Sequence, residues 1–416
     1  MPDLPGRMKG LCMPTISFNG VLTIALVAVF VPVVLGLVPR LPLPGAVLEV
    51  IAGIVLGPSL LGWVHIDAPI EVLSDLGLGM LLFLAGLEID VQRLRGTLGR
   101  LAAVAFCASA ALGLLIAYAL ALAGLVDRPV FVAIVLMSTS AGLLLPLLKD
   151  AREEDTRFGQ LVMTAAALGE VAPIVLLSLL FSATSKTSSG RLASFAIFLA
   201  LLAVLGLAIG RVRRLDWLEG LLNRLEDRSA QLRVRASLTI ALGFGVLAFN
   251  FGFASILGAF AAGVLVRMVD VSGHAPHPQF QTKLEGIGFG FLIPIFFIST
   301  GVTFDLRALL GNASALAQIP LFLAALLLVR GLPALLYSRF LGTGRAAIAG
   351  LMQATTLTFV IVATQIGLAD RQITTTTSAS LLAAGLLSAA IFPAVSVRLM
   401  SVRGGSTAQE TVEEAY

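Results

Sequence analysis

The chain has 416 residues, of which 58% are hydrophobic and only 12% are charged, and its formal net charge is +4. Soluble domains carry about twice that share of charged residues, so the composition excludes a soluble enzyme, a disordered protein and a disulfide-rich secreted domain. The two cysteines, Cys12 and Cys107, have neither a metal-binding nor a disulfide spacing. The composition indicates a polytopic membrane protein, for which we expect no catalytic activity, no cofactor and no nucleic-acid partner.

Thirteen apolar runs follow one another along the chain, and each predicts a membrane-spanning helix. A span needs about 20 apolar residues, and long continuous runs are typical of helices. The fold class is therefore predicted to be all-α, with a transmembrane domain at 18–400 between an N-terminal segment, 1–17, and a disordered cytoplasmic tail, 401–416. The predicted spans lie approximately at residues 18–38, 43–62, 70–90, 101–124, 129–148, 158–183, 192–211, 234–250, 253–269, 286–303, 315–340, 346–368 and 374–399.

The lysines and arginines predict how the spans are oriented. With the N-terminus outside, twenty of these residues fall in segments on the inner side and seven in segments on the outer side. Positively charged loops stay in the cytoplasm, so this asymmetry predicts an external N-terminus and a cytoplasmic C-terminus. The short loops suit an inner or plasma membrane, where lipid surrounds the protein.

Two charged residues are predicted at the middle of the membrane, where an ionisable side chain costs several kcal/mol. Glu170 lies about twelve residues into the sixth span, and Arg330 lies about fifteen residues into the eleventh. Because their depths are similar, we expect them to face each other or to share a water-filled cavity. An ion pair that only locks two helices together is the structural alternative. A buried carboxylate can also carry a proton, whereas an arginine stays charged.

Three other acids lie closer to the predicted cytoplasmic ends of their spans. Glu88 and Asp90 are expected to have structural roles, such as compensating a helix end or pairing with Arg93. Glu49 lies about six residues inside the second span, and for it a structural and a functional interpretation both stay open.

Polar residues interrupt the fifth and twelfth spans, with MSTSAG at 137–142 and QATTLT at 353–358. Hydroxyls and carbonyls freed by unwinding are hard oxygen ligands that suit alkali cations, although single hydroxyls often bond back to their own helix. Because the two breaks are seven spans apart, spans four to six and eleven to thirteen would form matching units of opposite orientation. The predicted cation- and proton-binding residues are Glu170, Ser138, Thr139, Ser140, Thr355 and Thr356.

Four stretches make the chain resemble the cation:proton antiporter superfamily, specifically its second branch of monovalent-cation/proton antiporters. They are LGPSLLG at 56–62, FLAGLEID at 83–90, LGAFAAG at 257–263 and FLIPIFF at 291–297, the last followed by Gly301. Each stretch alone is a weak signal, but all four occur in order on the matching spans. The resemblance covers nearly the whole of residues 18–400.

This resemblance implies a homodimer with a dimerisation domain and a mobile six-helix core, here approximately 101–183 and 315–399. It also implies inverted repeats with two crossing unwound helices. A member of this superfamily is a known example of a transporter built from inverted repeats. By position, Glu170 occupies the family's essential carboxylate site and Gly169 the residue before it. Arg330 occupies a basic supporting position, and Gln353 begins the second unwound segment.

The sequence departs from the family at Gly169 and Glu170, where the family usually has Asp-Asp, Asn-Asp or Gln-Asp. Glutamate reaches further than aspartate, and glycine supplies neither a charge nor an amide. With one titrating carboxylate, we expect electroneutral antiport of Na⁺ or K⁺ against a proton by alternating access. The alternatives are a cation channel or leak pathway, and a proton-coupled transporter of an organic ion whose pocket is enlarged at Gly169.

Overall fold

A computed structural model of the chain describes residues 18–37, 43–89, 96–181, 188–213, 231–271 and 278–413. Regular structure in these ranges is entirely helical. A π-helical segment at Gly288–Leu292 and a 3₁₀ segment at Leu335–Tyr337 join longer helices. The α-helices are α1 (Asn19–Leu37), α2 (Gly45–Leu56), α3 (Ala68–Glu88), α4 (Thr97–Leu122), α5 (Pro129–Leu136), α6 (Ala141–Asp150), α7 (Arg157–Leu180), α8 (Ser188–Arg213), α9 (Leu232–Asn250), α10 (Ser255–Val271), α11 (Pro278–Ile287), α12 (Ile293–Thr303), α13 (Leu306–Leu310), α14 (Ala313–Ala334), α15 (Ser338–Leu341), α16 (Thr343–Gln353), α17 (Thr358–Ala369) and α18 (Thr375–Glu413).

The helices follow the predicted spans in order. Ten segments in the described part of the chain are long and apolar enough to cross a membrane. Three shorter apolar helices, Gly45–Leu56, Ala193–Ala208 and Ser255–Met268, lie within the second, seventh and ninth predicted spans. Each remaining predicted span coincides with one of the ten longer segments, which confirms the all-α polytopic class.

Two helix ends differ from the prediction. The second span was predicted to continue to residue 62, but α2 ends at Leu56 because Pro58 disfavours a helical conformation at Gly57. The final helix, α18, continues to Glu413, beyond the predicted end of the last span at residue 399. Alanine, glutamine and glutamate in that stretch are good helix formers. The predicted N-terminal segment, 1–17, and both Asp90 and Arg93 lie outside the described residues.

One set of helices packs through close backbone contacts at glycines. We call α1, α2, α3, α9, α10 and α12 the frame group, because they pack against one another. A Cβ atom at Gly53 of α2 would lie 2.0 Å from the Ile298 carbonyl oxygen of α12. A Cβ atom at Gly86 of α3 would lie 2.3 Å from the Phe260 carbonyl oxygen of α10. Glycine is therefore the residue that lets these backbones touch, as in other closely packed membrane helices.

Six further spans, all those that remain except α8, form two matching three-span units. In the first unit the broken span α5–α6 packs against α4 and α7, and in the second the broken span α16–α17 packs against α14 and α18. The units contact each other directly through α4 with α14 and α7 with α16. We call these helices, α4 to α7 and α14 to α18, the crossing group. Its arrangement is the predicted pair of repeats with two crossing unwound helices.

The glycine contacts of the frame group predict a difference between two glycines of the same helix. Gly86→Ala should lower the melting temperature of the purified protein, because relieving the overlap with α10 costs about 1–3 kcal/mol. Gly79→Ala is the matched control, because its new Cβ atom meets nothing within 4 Å. This variant should have an unchanged or slightly higher melting temperature. Equal melting temperatures for the two variants would contradict this account of the packing.

Candidate functional site

The two broken spans meet at the centre of the crossing group. Helix α5 ends at Leu136 and α6 begins at Ala141, while α16 ends at Gln353 and α17 begins at Thr358. Each break removes helical hydrogen bonds, and the freed peptide groups need other partners because hydrocarbon supplies none. The predicted polar residues occupy both breaks, and all of them are buried.

Ser140 and Ser138 connect the first break to the second. The Ser140 amide donates to the Thr355 carbonyl oxygen at 3.0 Å, and the Ser140 hydroxyl accepts from the amides of Leu357 and Thr358 at 2.9 and 3.1 Å. Ser140 therefore caps α17 from the other repeat. The hydroxyls of Ser138 and Thr356 form a hydrogen bond of 2.8 Å. Most of the predicted hydroxyl ligands thus bind protein groups in this structure.

The third helix of each unit supports the break in its own unit. In the first unit the Thr139 amide donates to the Gly169 carbonyl oxygen of α7 at 3.0 Å. In the second, Ser388 of α18 accepts from the Thr356 amide at 3.2 Å and donates to the Thr356 carbonyl oxygen at 2.8 Å. Sequence reasoning missed Ser388. Internal symmetry could have found it, because Ser388 is the fourteenth residue of α18, as Glu170 is of α7.

Glu170 lies beside the start of α6. Its side chain is only 6% exposed, and its Oε2 atom accepts a hydrogen bond from the Ala141 amide at 3.3 Å. Ala141 is the first residue of α6, so the carboxylate lies at the positive end of a half-helix. Of the predicted site residues, Glu170 alone lines a cavity of about 220 Å³ that also touches Glu88 and Thr164.

This cavity, which we call the Glu170 cavity, has a polar mouth formed by Glu154, Asp155, Arg267 and Gln281. Glu154 and Asp155 lie in the turn between α6 and α7. The cavity therefore joins the buried carboxylate to one side of the helix bundle. Chemically, it allows Glu170 to exchange a proton or a cation with that side.

Arg330 does not make the expected contact with Glu170. The Arg330 side chain is 1% exposed, and it donates from Nε to the Thr139 hydroxyl at 2.8 Å and from Nη2 to the Ala165 carbonyl oxygen at 3.2 Å. Nη1 lies 3.4 Å from the Ser109 hydroxyl oxygen. In the described part of the chain, no carboxylate forms an ion pair with it. Arg330 lies against Gly169 of α7, whereas the side chain of the next residue, Glu170, turns to the start of α6.

Gly169 explains where the guanidinium goes. A Cβ atom at Gly169 would lie 2.6 Å from Arg330 Nη2 and 2.9 Å from the Thr139 hydroxyl oxygen. The absence of a side chain therefore gives Arg330 room to reach the first break. The expectation that this glycine enlarges a substrate pocket is not met, because Arg330 and Thr139 fill the space.

Gln353 and Thr355 support the second break rather than line the Glu170 cavity. The Gln353 carbonyl oxygen accepts a hydrogen bond from the Thr139 hydroxyl, and its side-chain oxygen accepts from Tyr337 at 3.5 Å. The Thr355 hydroxyl bonds back to the Leu351 carbonyl oxygen at 3.5 Å. Tyr337, like Ser388, was missed from sequence because an aromatic residue in an apolar span carries no distinguishing pattern.

Comparison with known proteins supplies relatives along most of the chain. YjbQ of Bacillus subtilis is 29% identical over 392 residues, which are 91% of this chain and 62% of that protein. The chain thus spans less than two thirds of the length of that relative. The Na⁺/H⁺ antiporter of Enterococcus hirae is 28% identical over 300 residues, 70% of this chain and 74% of that protein. The Na⁺/H⁺-K⁺ antiporter GerN of Bacillus cereus is 28% identical over 277 residues, 64% of this chain and 67% of that protein.

A solved structure has the same fold. The sodium/proton antiporter MjNhaP1 of Methanocaldococcus jannaschii superposes with a TM-score of 0.58 at 14% sequence identity, covering 93% of this chain and 97% of that one. The model of the transmembrane sodium/hydrogen exchanger family matches residues 25–401. The chain therefore belongs to the transmembrane sodium/hydrogen exchanger family.

Proposed function

We propose that the protein is a secondary active antiporter that exchanges a monovalent cation, Na⁺ or K⁺, for a proton. The observation that carries the proposal is the position of Glu170, a buried carboxylate at the start of a half-helix and at the end of a cavity. The names of the Enterococcus hirae and Bacillus cereus relatives agree with it. Transport rather than catalysis is the activity that this site supports.

In the proposed mechanism Glu170 binds either a proton or a cation. A bare carboxylate that crossed the hydrocarbon would cost several kcal/mol, so the crossing group would move only when Glu170 is neutralised. Proton and cation then compete for one group, and this competition couples their fluxes. Because Arg330 keeps its charge, one proton would exchange for one monovalent cation, and the exchange would be electroneutral.

We propose that the structure represents an inward-facing state of a protein in a plasma or inner membrane. The Glu170 cavity opens beside Glu154 and Asp155, in a turn that the distribution of basic residues assigns to the cytoplasm. Alternating access would expose Glu170 to the other side when the crossing group moves against the frame group. The frame group would also supply the contact surface of a homodimer.

The two alternative functions have weaker support. A cation channel would need polar groups free to line a continuous path, but Ser138, Ser140 and Thr356 are engaged with each other or with amides. An organic-ion pocket at Gly169 would need space that Arg330 fills.

Removing the Glu170 charge should abolish exchange. In proteoliposomes with an imposed pH gradient, Glu170→Gln should give no dequenching of a pH-sensitive dye on addition of Na⁺, K⁺ or Li⁺, because no group would carry the proton. Asp155→Asn, at the exposed mouth of the same cavity, is the matched control and should keep most of the activity. Wild-type exchange by Glu170→Gln, with an unchanged melting temperature, would remove Glu170 from the mechanism.

Electroneutral exchange should produce no net current. Proteoliposomes on a solid-supported membrane should show no steady charge movement when a cation gradient drives exchange that the dye assay detects. A current that reverses at a potential set by the cation gradient would contradict the proposed ratio of one proton to one cation.

A side chain at Gly169 should disturb the site through Arg330. Gly169→Ala should lower the melting temperature and the rate of exchange, because its Cβ atom would displace the guanidinium from buried partners, at a cost of about 1–3 kcal/mol. Gly142→Ala, in α6 where nothing lies within 4 Å of the new atom, is the control. If Gly169→Ala behaved like Gly142→Ala, Arg330 would not depend on the missing side chain.

A further inference from the structure

A second and larger cavity lies between the frame group and the crossing group. Its volume is about 1060 Å³. Ala46 and Glu49 of α2, together with Phe297 of α12, line it from the frame group, while Pro146 of α6 and Val397 of α18 line it from the crossing group. We call it the Glu49 cavity.

Helix α6 separates the Glu49 cavity from the Glu170 cavity. Ala141 and Leu145 line the Glu170 cavity, whereas Gly142 and Pro146 line the Glu49 cavity. Residues four positions apart lie on the same face of a helix, so each pair marks one face. The second pair is shifted by one residue from the first, and the two pairs therefore lie on different faces of α6. The Glu49 cavity is therefore distinct from the proposed transport site.

The charged residues that line the described part of the Glu49 cavity are all acidic. Its described lining includes Glu49 in the apolar part and Asp150 and Glu153 where α6 ends, and no lysine, arginine or histidine. Glu153 accepts hydrogen bonds from Thr156 and Arg345. Among the described residues, Glu49 forms no ion pair and no hydrogen bond. A carboxylate that these apolar neighbours leave unpaired favours a cationic occupant.

We propose that the Glu49 cavity binds amphipathic organic cations, with an ammonium group at Glu49 and an apolar body against Phe297 and Pro146. The volume slightly exceeds the usual volume of pockets for small organic ligands, which are mostly apolar with a few polar groups that fix orientation. An anionic lipid is the wrong occupant, because its headgroup would meet the carboxylates of Glu49 and Asp150, while Glu153 is already paired with Arg345. The charge pattern selects the occupant, and the apolar walls supply most of the contact area.

A ligand in this cavity would inhibit exchange without competing for Glu170. Both groups of helices form its walls, so an occupant holds them at one separation. This step rests on the proposed function, since it requires the crossing group to move against the frame group. The binding step does not depend on it.

The test uses the full chain in phosphatidylcholine nanodiscs and two probes, 4-phenylbutylamine and its neutral analogue 4-phenylbutan-1-ol. Calorimetry, with empty nanodiscs subtracted, should detect saturable binding of the amine to the wild type. Binding should be at least about tenfold weaker for the alcohol and for the amine with Glu49→Gln, the loss expected when a charged hydrogen bond is removed. Glu170→Gln, the control variant, should bind the amine like the wild type.

Several outcomes would overturn the inference. They are no saturable binding to the wild type, equal binding of the two probes, equal binding to Glu49→Gln and the wild type, and loss of binding in Glu170→Gln.

In proteoliposomes the amine should lower the maximal exchange rate of the wild type and leave Glu49→Gln about tenfold less sensitive. If the chain binds the amine through Glu49 but exchanges no cation, the site stands and the proposed function fails.

Discussion

An interrupted membrane helix leaves peptide groups that hydrocarbon cannot satisfy, and this constraint governs the centre of the structure. The protein meets it by crossing two interrupted helices, so that each break supplies partners for the other. The Ser140 hydroxyl, for example, accepts hydrogen bonds from two amides of the opposite repeat. The Ser140 amide donates to a carbonyl oxygen of that same repeat. The polar residues that break the helices are thus also the residues that hold the two breaks together.

Glu170 and Arg330 have separate roles at this crossing. Glu170 accepts from the first amide of α6, where the half-helix is positive. Arg330 reaches the carbonyl end of α16 through the Thr139 hydroxyl, which donates to the Gln353 carbonyl oxygen. Each charge therefore compensates a helix end of opposite sign. Because they are not paired with each other, the carboxylate stays open to a cavity while the guanidinium is enclosed.

The sequence predicted the helical class, the two breaks and the burial of Glu170, because these depend on hydropathy, on polar clusters and on the length of the apolar span around the charge. It did not predict the contacts of Arg330, since equal depth in two spans says nothing about which faces meet. The role of Gly169 followed only from the reach of the Arg330 side chain from α14 to α7. Pro58 could have placed the end of α2 correctly, whereas Ser388 needed the symmetry between the repeats.

The hydrogen bonds across the breaks also limit the order in which the chain can fold. Ser138 pairs with a residue 218 positions later, and Ser140 caps a helix 217 positions later. Spans inserted early during synthesis therefore hold unsatisfied groups until the twelfth span arrives. Assembly of the centre is a late event that needs both halves of the protein, so neither half can complete it independently.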